Sequence, residues 1–168
     1  MPQSKPSSQP LWPIPFTQIT RVGDPVMPDR HGKPHKGRDL MAPAGTRVRA
    51  AVAGRVLRVV DGRESGKDAQ VLAGLWVDVQ GDDGNVYRYL HLGKVALGIK
   101  DGAKVKAGDW LGTVAPAGSS GVFRSPPHLH FEVRASDWDR SRGERGDYGD
   151  PIEPLSILPL RPGRGSKA

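Results

Sequence analysis

Residues 127–134 read Pro-His-Leu-His-Phe-Glu-Val-Arg, and we expect the rest of the fold to assemble around them. Their aromatic and β-branched side chains are typical of a β-strand. Since side chains alternate between the two faces of a strand, His128 and His130 point the same way, roughly 7 Å apart. Two imidazoles on one face suit a metal ligand beside a histidine that transfers protons. Glu132 shares this face, where it either orients a ligand imidazole or pairs with an arginine.

The remainder of the chain also favours short strands. Alternating or β-branched and aromatic runs occur at residues 46–52, 54–60, 75–79, 85–91, 104–106 and 109–114. A Gly-Asp-Asp-Gly turn at 81–84 predicts a hairpin between two of these runs. The 22 glycines and 16 prolines favour turns, and no segment has a sustained helical period. The predicted fold class is therefore mainly β, a twisted antiparallel sheet or sandwich with few or no helices.

The length of 168 residues is sufficient for one domain with its own core. We expect a Pro/Ser-rich N-terminal extension at 1–16, a single domain at 17–160 and a frayed tail at 161–168. Trp12, Ile14 and Phe16 of the extension are expected to pack on the edge of the domain. Residues 61–70 and 135–149 are rich in charged side chains and are expected to form loops.

The sequence has a net charge of +7 and no cysteine. Without cysteine, disulfides and thiolate zinc sites are excluded, so a transition metal would need histidine and carboxylate ligands. A basic surface suits nucleic acid, an acidic lipid surface or a bacterial cell wall, and it also serves solubility. The arginines lack interleaved aromatic residues and no phosphate-binding glycine motif is present. A nucleic-acid-binding β domain is therefore the weaker interpretation, and we expect no nucleic-acid partner.

Membrane and export signals are not visible in the sequence. No stretch approaches the ~20 apolar residues that a membrane span needs, so we expect no membrane span. The first ten residues are polar and proline-rich, without the apolar segment of a secretory signal peptide. Cytoplasmic residence, export by another route and removal of a leader are all compatible with this N-terminus.

A candidate metal site emerges from the few residues that can bind a metal. His35 and Asp39 are four residues apart, and Gly37 between them permits a tight turn, so both can reach one ion. Together with His130 they provide two imidazoles and one carboxylate. Three protein ligands leave a coordination position open, as catalytic zinc sites do.

Of the other three histidines, His91 and His128 are candidates for proton transfer, and His31 is expected outside the reaction centre. His91 ends a predicted strand and is expected on the same face as Tyr89, whose hydroxyl we interpret as a packing group. With His128 it is a candidate for proton transfer. His31 lies four residues before His35 and could mimic a ligand, but the glycine favours His35. We therefore expect His31 to face solvent or the edge of a groove.

In their ordered combination these motifs resemble the M23 family of zinc metallopeptidases, the lysostaphin-like or LytM-type peptidoglycan endopeptidases. The resemblance covers about residues 17–160. The matching motifs are His35-Lys-Gly-Arg-Asp39, Tyr89-Leu-His91-Leu and His128-Leu-His130-Phe-Glu.

The resemblance implies a twisted antiparallel β core with a groove and one Zn²⁺ per chain. The metal ligands would be His35, Asp39 and His130, and the catalytic pair would be His91 and His128. The implied reaction is hydrolysis of a peptide bond in peptidoglycan, in a stem peptide or a cross-link. His128 would act as general base and His91 would stabilise the oxyanion or position the water, although the sequence leaves open which of the two leads.

Two departures from the family pattern concern the groove. Arg38 stands where the family usually has an apolar residue, which would alter the groove wall. Pro126 and Pro127 precede the histidine strand where a small residue or a single proline is more usual. The loop 118–127 is expected to border the groove, so these prolines bear on specificity.

The resemblance also implies where the protein acts and with what. Peptidoglycan is the expected partner, and the place of action is the cell wall, in the periplasm or outside the cell. An antibacterial toxin with an immunity protein and delivery machinery, a phage-type wall hydrolase and a housekeeping enzyme are the settings considered. The alternative function is a non-catalytic LytM-type binding or activator module, which the five retained site residues disfavour. We expect a monomer.

Overall fold

The computed structural model describes residues 9–135 and 148–160. Residues 1–8 of the extension, 136–147 of the predicted charged loop and the predicted tail at 161–168 lie outside the described residues. The strands are β1 Arg21–Val22, β2 Met27–Arg30, β3 Lys33–His35, β4 Arg38–Met41, β5 Arg47–Arg49, β6 Gly54–Asp61, β7 Leu75–Gly81, β8 Val86–Val95, β9 Lys104–Val105, β10 Trp110–Val114, β11 His128–Arg134 and β12 Pro151–Ile152. One α-helix, α1, spans Asp68–Ala73, and 3-10 turns lie at Phe16–Gln18 and Pro154–Ser156.

The strands form one antiparallel sheet and a separate hairpin. The main path runs β1-β4-β11-β8-β7-β6-β9, with β10 bridging β5 and β8, β12 beside β11, and β2 and β3 paired separately. The prediction of a mainly β, antiparallel fold is confirmed, as is the hairpin of β7 and β8. The histidine strand β11 lies between β4 and β8, so both neighbours present side chains to it.

Strand β11 separates the core from the cleft. Its alternate residues Leu129, Phe131 and Val133 are fully buried. Burying a side chain of this size stabilises the fold by about 1.5–3 kcal/mol. The other face carries His128, His130 and Glu132, as the alternation predicts. The apolar half of the strand therefore fixes the register in which the polar half is presented, because a slip of one residue would exchange the two faces.

The N-terminal segment packs more deeply than an edge contact. Trp12 and Ile14 belong to the buried core, and Ile14 has no exposed surface. The backbone runs alongside Arg49 and Ala51, donating from Leu11 N–H to Ala51 O at 2.8 Å and accepting from Arg49 N–H at Pro13 O. These backbone hydrogen bonds hold the segment in place while its apolar side chains enter the core.

A short helix replaces part of the predicted loop at 61–70. Helix α1 has only six residues, Asp68–Ala73, too few to display a helical period in the sequence. Its signals are an acidic residue in the first turn and Gly74 just past the end, where the backbone has φ 73°. Among the described residues, no helix is long and apolar enough to cross a membrane.

Candidate metal centre and catalytic cleft

Three predicted ligands meet at one end of the central sheet. His35 ends β3, while Asp39 of β4 is paired directly opposite His130 of β11. One ligand atom from each residue lies within 4.8 Å of the other two. Asp39 Oδ1 is 2.8 Å from His130 Nδ1 and 3.3 Å from His35 Nε2. The sequence-predicted ligand set is thus brought together as expected from its spacing.

The outer nitrogen of each ligand imidazole is already occupied. His35 Nδ1 lies 2.8 Å from Pro25 O, and His130 Nε2 lies 3.0 Å from Glu132 Oε1. Because a carbonyl oxygen only accepts, Nδ1 of His35 carries the hydrogen and its Nε2 lone pair faces Asp39. The Glu132 contact likewise directs Nδ1 of His130 inward. Once Nδ1 of His130 has lost its proton, two imidazole lone pairs and one carboxylate converge, a donor set that fits Zn²⁺.

Burial and mutual contact shift the titration of the ligands. Burial raises the pKa of Asp39, but its close contacts with His130 and His35 outweigh it and hold this pKa well below its usual range. Burial opposes protonation of His130, yet Asp39 and Glu132 raise its pKa to about 9. Without a metal, the carboxylates therefore hold a proton on His130. We expect metal binding to release that proton.

A second pair of histidines lies beside the ligands. The rings of His91 and His128 have centroids 4.9 Å apart. His128 Nδ1 donates to Pro126 O at 2.9 Å, and His91 Nδ1 donates to Ser120 O at 3.0 Å. Both rings consequently keep Nε2 available, and His128 Nε2 lies 3.7 Å from Asp39 Oδ1. The two predicted catalytic residues and the three ligands thus occupy one site.

The backbone at His91 corrects the predicted face of this residue. Strand β8 pairs with β11 up to Leu90 and with β10 from Leu92, and His91 between them has φ 64°. Left-handed backbone is uncommon for a residue other than glycine and points to a functional constraint. His91 therefore faces the cleft, whereas Tyr89 is fully buried in the core. The prediction that the two share a face was wrong because the strand kinks at His91.

Tyr89 serves packing, as interpreted from the sequence. Its ring packs on Phe131 with centroids 5.3 Å apart, and its hydroxyl accepts a hydrogen bond from Ala51 N–H at 2.9 Å. Burial raises the pKa of Tyr89 above its usual value, so the hydroxyl stays protonated. This position in the core excludes a direct part in the chemistry of the cleft.

His91 is neutral over the physiological range. Burial lowers the pKa of His91 to about 3, with repulsion from His130 and His128 acting in the same direction. Because its Nδ1 hydrogen is committed to Ser120, its Nε2 offers a lone pair and not a hydrogen. In this state His91 accepts hydrogen bonds and does not supply a proton.

Two arginines differ from what the sequence suggested. Arg30 was not singled out, yet its Nη1 donates to Asp39 Oδ2 at 3.0 Å while its Nε pairs with Asp24. The β2–β3 hairpin folds Arg30 back onto Asp39, and no motif signals this. Arg38 was expected to alter the groove wall, but its Nε donates to Glu153 Oε1 at 2.6 Å and its Nη1 to Gly23 O. Those contacts tie it to the C-terminal segment.

His31 and Gly37 have backbone roles. His31 is exposed and, with Gly32, forms the turn of the β2–β3 hairpin, with φ of 55° and 82°. Such a pair of left-handed residues suits a type I′ turn. Gly37 was expected to permit a tight turn. The structure shows a further reason for glycine here, which is that β11 leaves no space for a side chain at this position. A Cβ there would lie 2.4 Å from Phe131 O, so β11 would have to move away.

Both interpretations of Glu132 hold. Its Oε1 accepts from His130, while its Oε2 accepts from Arg88 at 3.2 Å and from Arg134 at 3.1 Å. Arg88 also pairs with the buried Asp78. Burial raises the pKa of Glu132, but these hydrogen bonds and charges lower it to about 2. Glu132 thus links a metal ligand to a buried network of charges.

Glu132→Gln is expected to destabilise the metal-free chain by about 3 kcal/mol, because it leaves Arg134 without its carboxylate partner in a buried place. The folded pKa of Glu132 is near 2, below the ordinary value of 4.5. The contribution of Glu132 to the free energy of unfolding is therefore complete above pH 4.5 and is lost as the pH falls toward 2.

Denaturant unfolding with chelator present, at pH 7 and at pH 4 to 3, measures the stability difference between Glu132→Gln and wild type. Asp61→Asn, in an exposed pair with Arg63, is the control. A difference that grew on acidification would contradict the assignment.

The cleft over these groups is a cavity of about 340 Å³. Gly121, Arg124, Ser125 and Pro126 of the loop line it, so the loop 118–127 borders the groove as expected. Gly121 has φ 84°, and a Cβ there would lie 2.2 Å from Leu72 O and 2.6 Å from His91 Nδ1. The loop can therefore approach His91 this closely only with glycine at this position.

Gly121→Ala is expected to displace His91 and to lower kcat by about tenfold or more. Gly118→Ala is a matched control, because Gly118 lies in the same loop with φ 80° and its Cβ would meet nothing within 4 Å. Both variants carry the same backbone strain, so a difference between them reports the clash alone. Steady-state kinetics with metal content measured in parallel would show it. Equal losses in the two variants would argue against this explanation.

A β-sheet cleft in which two histidines and an aspartate converge beside two further histidines has the donor set of a catalytic zinc site with proton acceptors next to it. A sequence profile matches residues 33–150, and the chain belongs to Peptidase family M23. The expected family and its fold are thereby confirmed. These enzymes are zinc metallopeptidases.

Three similar proteins illustrate the relationship. A protein named as an uncharacterized metalloprotease from Buchnera aphidicola is 30% identical over 134 residues, 76% of this chain and 32% of its own length. Csd3 from Helicobacter pylori is 27% identical, with a TM-score of 0.62 over 92% of this chain and 34% of its own. The antimicrobial peptidase lysostaphin from Staphylococcus simulans is 25% identical, with a TM-score of 0.60 over 90% and 52%. The chain thus spans about a third of the length of the first two.

Proposed function

We propose that this chain is a zinc-dependent endopeptidase that hydrolyses peptide bonds of bacterial peptidoglycan, in the stem peptide or in a cross-link. The observation that carries the proposal is the convergence of His35, Asp39 and His130 beside His91 and His128 in one open cleft. Membership of family M23 and the likeness to lysostaphin support it.

The residues divide into those that hold the metal and those that handle protons. His35 Nε2, Asp39 Oδ1 and His130 Nδ1 would hold one zinc ion per chain, with Arg30 neutralising the outer oxygen of Asp39. When bound, zinc supplies a Lewis acid that polarises the scissile carbonyl and makes water acidic enough to react near neutral pH. The carbonyl and carboxylate contacts of the two imidazoles fix their orientation beforehand.

His128 acts as the general base in this proposal. Its Nε2 lone pair is directed toward Asp39 and can accept a proton from the attacking water. The same proton then passes from Nε2 to the leaving amine, which restores the neutral ring. Because the pKa of His91 is lowered to about 3, His91 is the poorer proton acceptor. Its Nε2 instead accepts a hydrogen bond that orients the water.

A non-catalytic binding or activator module is the alternative function. Such a module needs no convergent donor set and no proton acceptor beside it. Here His91 and His128 each bind a backbone carbonyl through Nδ1 and keep Nε2 available, while Pro25 O and Glu132 orient the rings of His35 and His130. A preorganised arrangement of this kind serves a reaction and is costly for binding alone.

Removal of zinc tests the proposal directly. Purified chain is incubated with cell walls of defined chemistry, with and without a chelator, and the released fragments are identified by mass spectrometry. We expect new amine and carboxyl ends at one type of peptide bond, their loss with chelator and their return when zinc is added. His35→Ala should release nothing, whereas His31→Ala should behave as wild type. Wall binding without any new peptide ends would favour the binding module.

We propose the bacterial cell wall as the place of action and an antibacterial role as one setting. The support is the likeness to the antimicrobial peptidase lysostaphin. An antibacterial enzyme predicts that expression directed to the periplasm lyses the host and that the same chain in the cytoplasm is harmless. A co-expressed immunity protein would restore growth in that case. Normal growth with active enzyme in the periplasm would contradict a toxin role.

A further inference from the structure

The cleft carries more positive charge than the metal site requires. Three arginines line it, Arg21, Arg30 and Arg124, and Asp39 is the one carboxylate among the described lining residues. Arg30 is committed to Asp39 and Asp24. Arg21 and Arg124 are both exposed, and within residues 9–135 and 148–160 neither forms an ion pair. Two guanidinium groups therefore line the cleft without an ion-pair partner among the described residues.

The position of Arg21 follows from the sheet register. Arg21 of β1 is paired with Met41 of β4, and Met41 is paired with His128 of β11. Residues directly opposite one another on neighbouring strands share a face. Arg21 thus lies in a row with the proposed general base, two strand spacings or roughly 10 Å away. A substrate whose scissile bond lies at His128 would need about three extended residues to span this distance to Arg21.

Arg124 lies at a second part of the groove. It lines the catalytic cavity and also an adjoining cavity of about 560 Å³, which shares Leu72 and Gly121 with the first. The adjoining cavity has an apolar wall, because Leu72 and Phe123 are each 50% exposed. A guanidinium between a reaction centre and an apolar wall suits a residue with a short aliphatic part and a carboxylate.

We propose that Arg21 and Arg124 are specificity-determining residues that select acidic stem-peptide cross-links with free carboxylates over neutral glycine bridges. This inference rests on the proposed function and names its substrate class. An arginine and a carboxylate form a bidentate, charge-assisted ion pair. A glycine bridge has no carboxylate side chain and cannot form this pair. Binding energy gained beside the scissile bond also fixes the substrate for attack. A neutral bridge would leave both guanidinium groups in water and gain nothing from them.

The test compares three soluble probes with the zinc-loaded full chain. One is a cross-linked stem-peptide dimer with free carboxylates, the second is the same dimer with those carboxylates amidated, and the third is pentaglycine. We expect kcat/KM to be about a hundredfold higher for the free dimer than for the amidated one. Arg21→Gln and Arg124→Gln should each remove about tenfold for the free dimer, with less than twofold effect on the amidated dimer. The preference should weaken as salt is raised.

Controls separate specificity from stability. Arg63→Gln removes an exposed arginine paired with Asp61, outside the cleft, and should leave all rates unchanged. Arg124→Lys should restore part of the preference. Equal kcat/KM for free and amidated dimers, a preference for pentaglycine, or equal losses on both dimers in the arginine variants would overturn the inference.

Binding distinguishes this inference from the proposed function. The two dimers are titrated calorimetrically into the zinc-loaded His128→Gln chain, in which cleavage is not required. Tighter binding of the free dimer, lost in Arg21→Gln and Arg124→Gln, supports the inference even if the wild-type chain cuts no probe, in which case the endopeptidase proposal alone fails. Equal binding of the two dimers overturns the inference whether or not cleavage occurs.

Discussion

Asp39→Asn is expected to abolish stable zinc binding and to lower kcat/KM by at least about a thousandfold. The side chains of aspartate and asparagine have nearly the same shape, so the change removes charge and little else. Asp39 Oδ1 lies within 3.7 Å of nitrogens of His35, His128 and His130. Since the pKa of Asp39 is well below its usual range, wild type carries this charge at every working pH. An amide cannot replace it as a zinc ligand.

Asp24, the second carboxylate that pairs with Arg30, provides a matched control. Asp24 pairs with Arg30 Nε at 3.0 Å but is half-exposed and contacts no ligand. Asp24→Asn should therefore keep one zinc per chain and nearly full activity. Metal content after dialysis and calorimetric titration measure binding, and circular dichroism shows whether each variant is folded. One tightly bound zinc in Asp39→Asn would mean that the metal lies elsewhere.

The convergence of His35, Asp39 and His130 was predictable because it depends on local spacing and on pairing between strands. His130 lies on a strand whose side-chain alternation is visible in the sequence, and Asp39 follows His35 by four residues. The segment of Asp39 was not predicted as a strand, but β4 pairs with β11 in the register that places Asp39 opposite His130. Tertiary packing then adds His35 at the end of the neighbouring hairpin. Short motifs suffice for such a site because each residue contributes one atom and the sheet supplies the distances.

The orientation of the site could not be predicted, because it depends on backbone groups that have no sequence signature. The carbonyls of Pro25, Ser120 and Pro126 hold three of the four imidazoles. Any residue can supply a carbonyl, so its use is decided by the path of the loop. Likewise, the left-handed backbone at His91 lies where β8 changes its pairing partner from β11 to β10. That change depends on the arrangement of all three strands and not on the residues around His91 alone.

The same distinction applies to the fold. The hairpin of β7 and β8 follows from alternation on each side of a Gly-containing turn. The sequence did not indicate how deeply Trp12 and Ile14 are buried. A proline-rich segment has no hydrophobic periodicity that would show which side chains enter the core. Local patterns predict strands, whereas long-range packing decides which flanking residues belong to them.

His128→Gln is expected to lower kcat by about 10²- to 10⁴-fold while zinc binding is retained. Glutamine is neutral, polar and close to histidine in size, so the variant keeps a polar side chain in the site but loses the imidazole that accepts the proton. His91→Gln should have a smaller effect, because the pKa of His91 is lowered to about 3 and this ring does not take up a proton at neutral pH. His31→Asn suits the left-handed turn and is the unaffected control.

The pH profile assigns the roles of the two histidines. A general base works only in its unprotonated form, so kcat falls on the acid side where the residue that acts as base takes up a proton. This fall is expected to persist in His91→Gln and to disappear in His128→Gln, whose residual rate should be flat on the acid side. His91 titrates too low to produce such a fall above pH 4. If instead His91→Gln lost the acid limb and His128→Gln kept it, the general base would be His91.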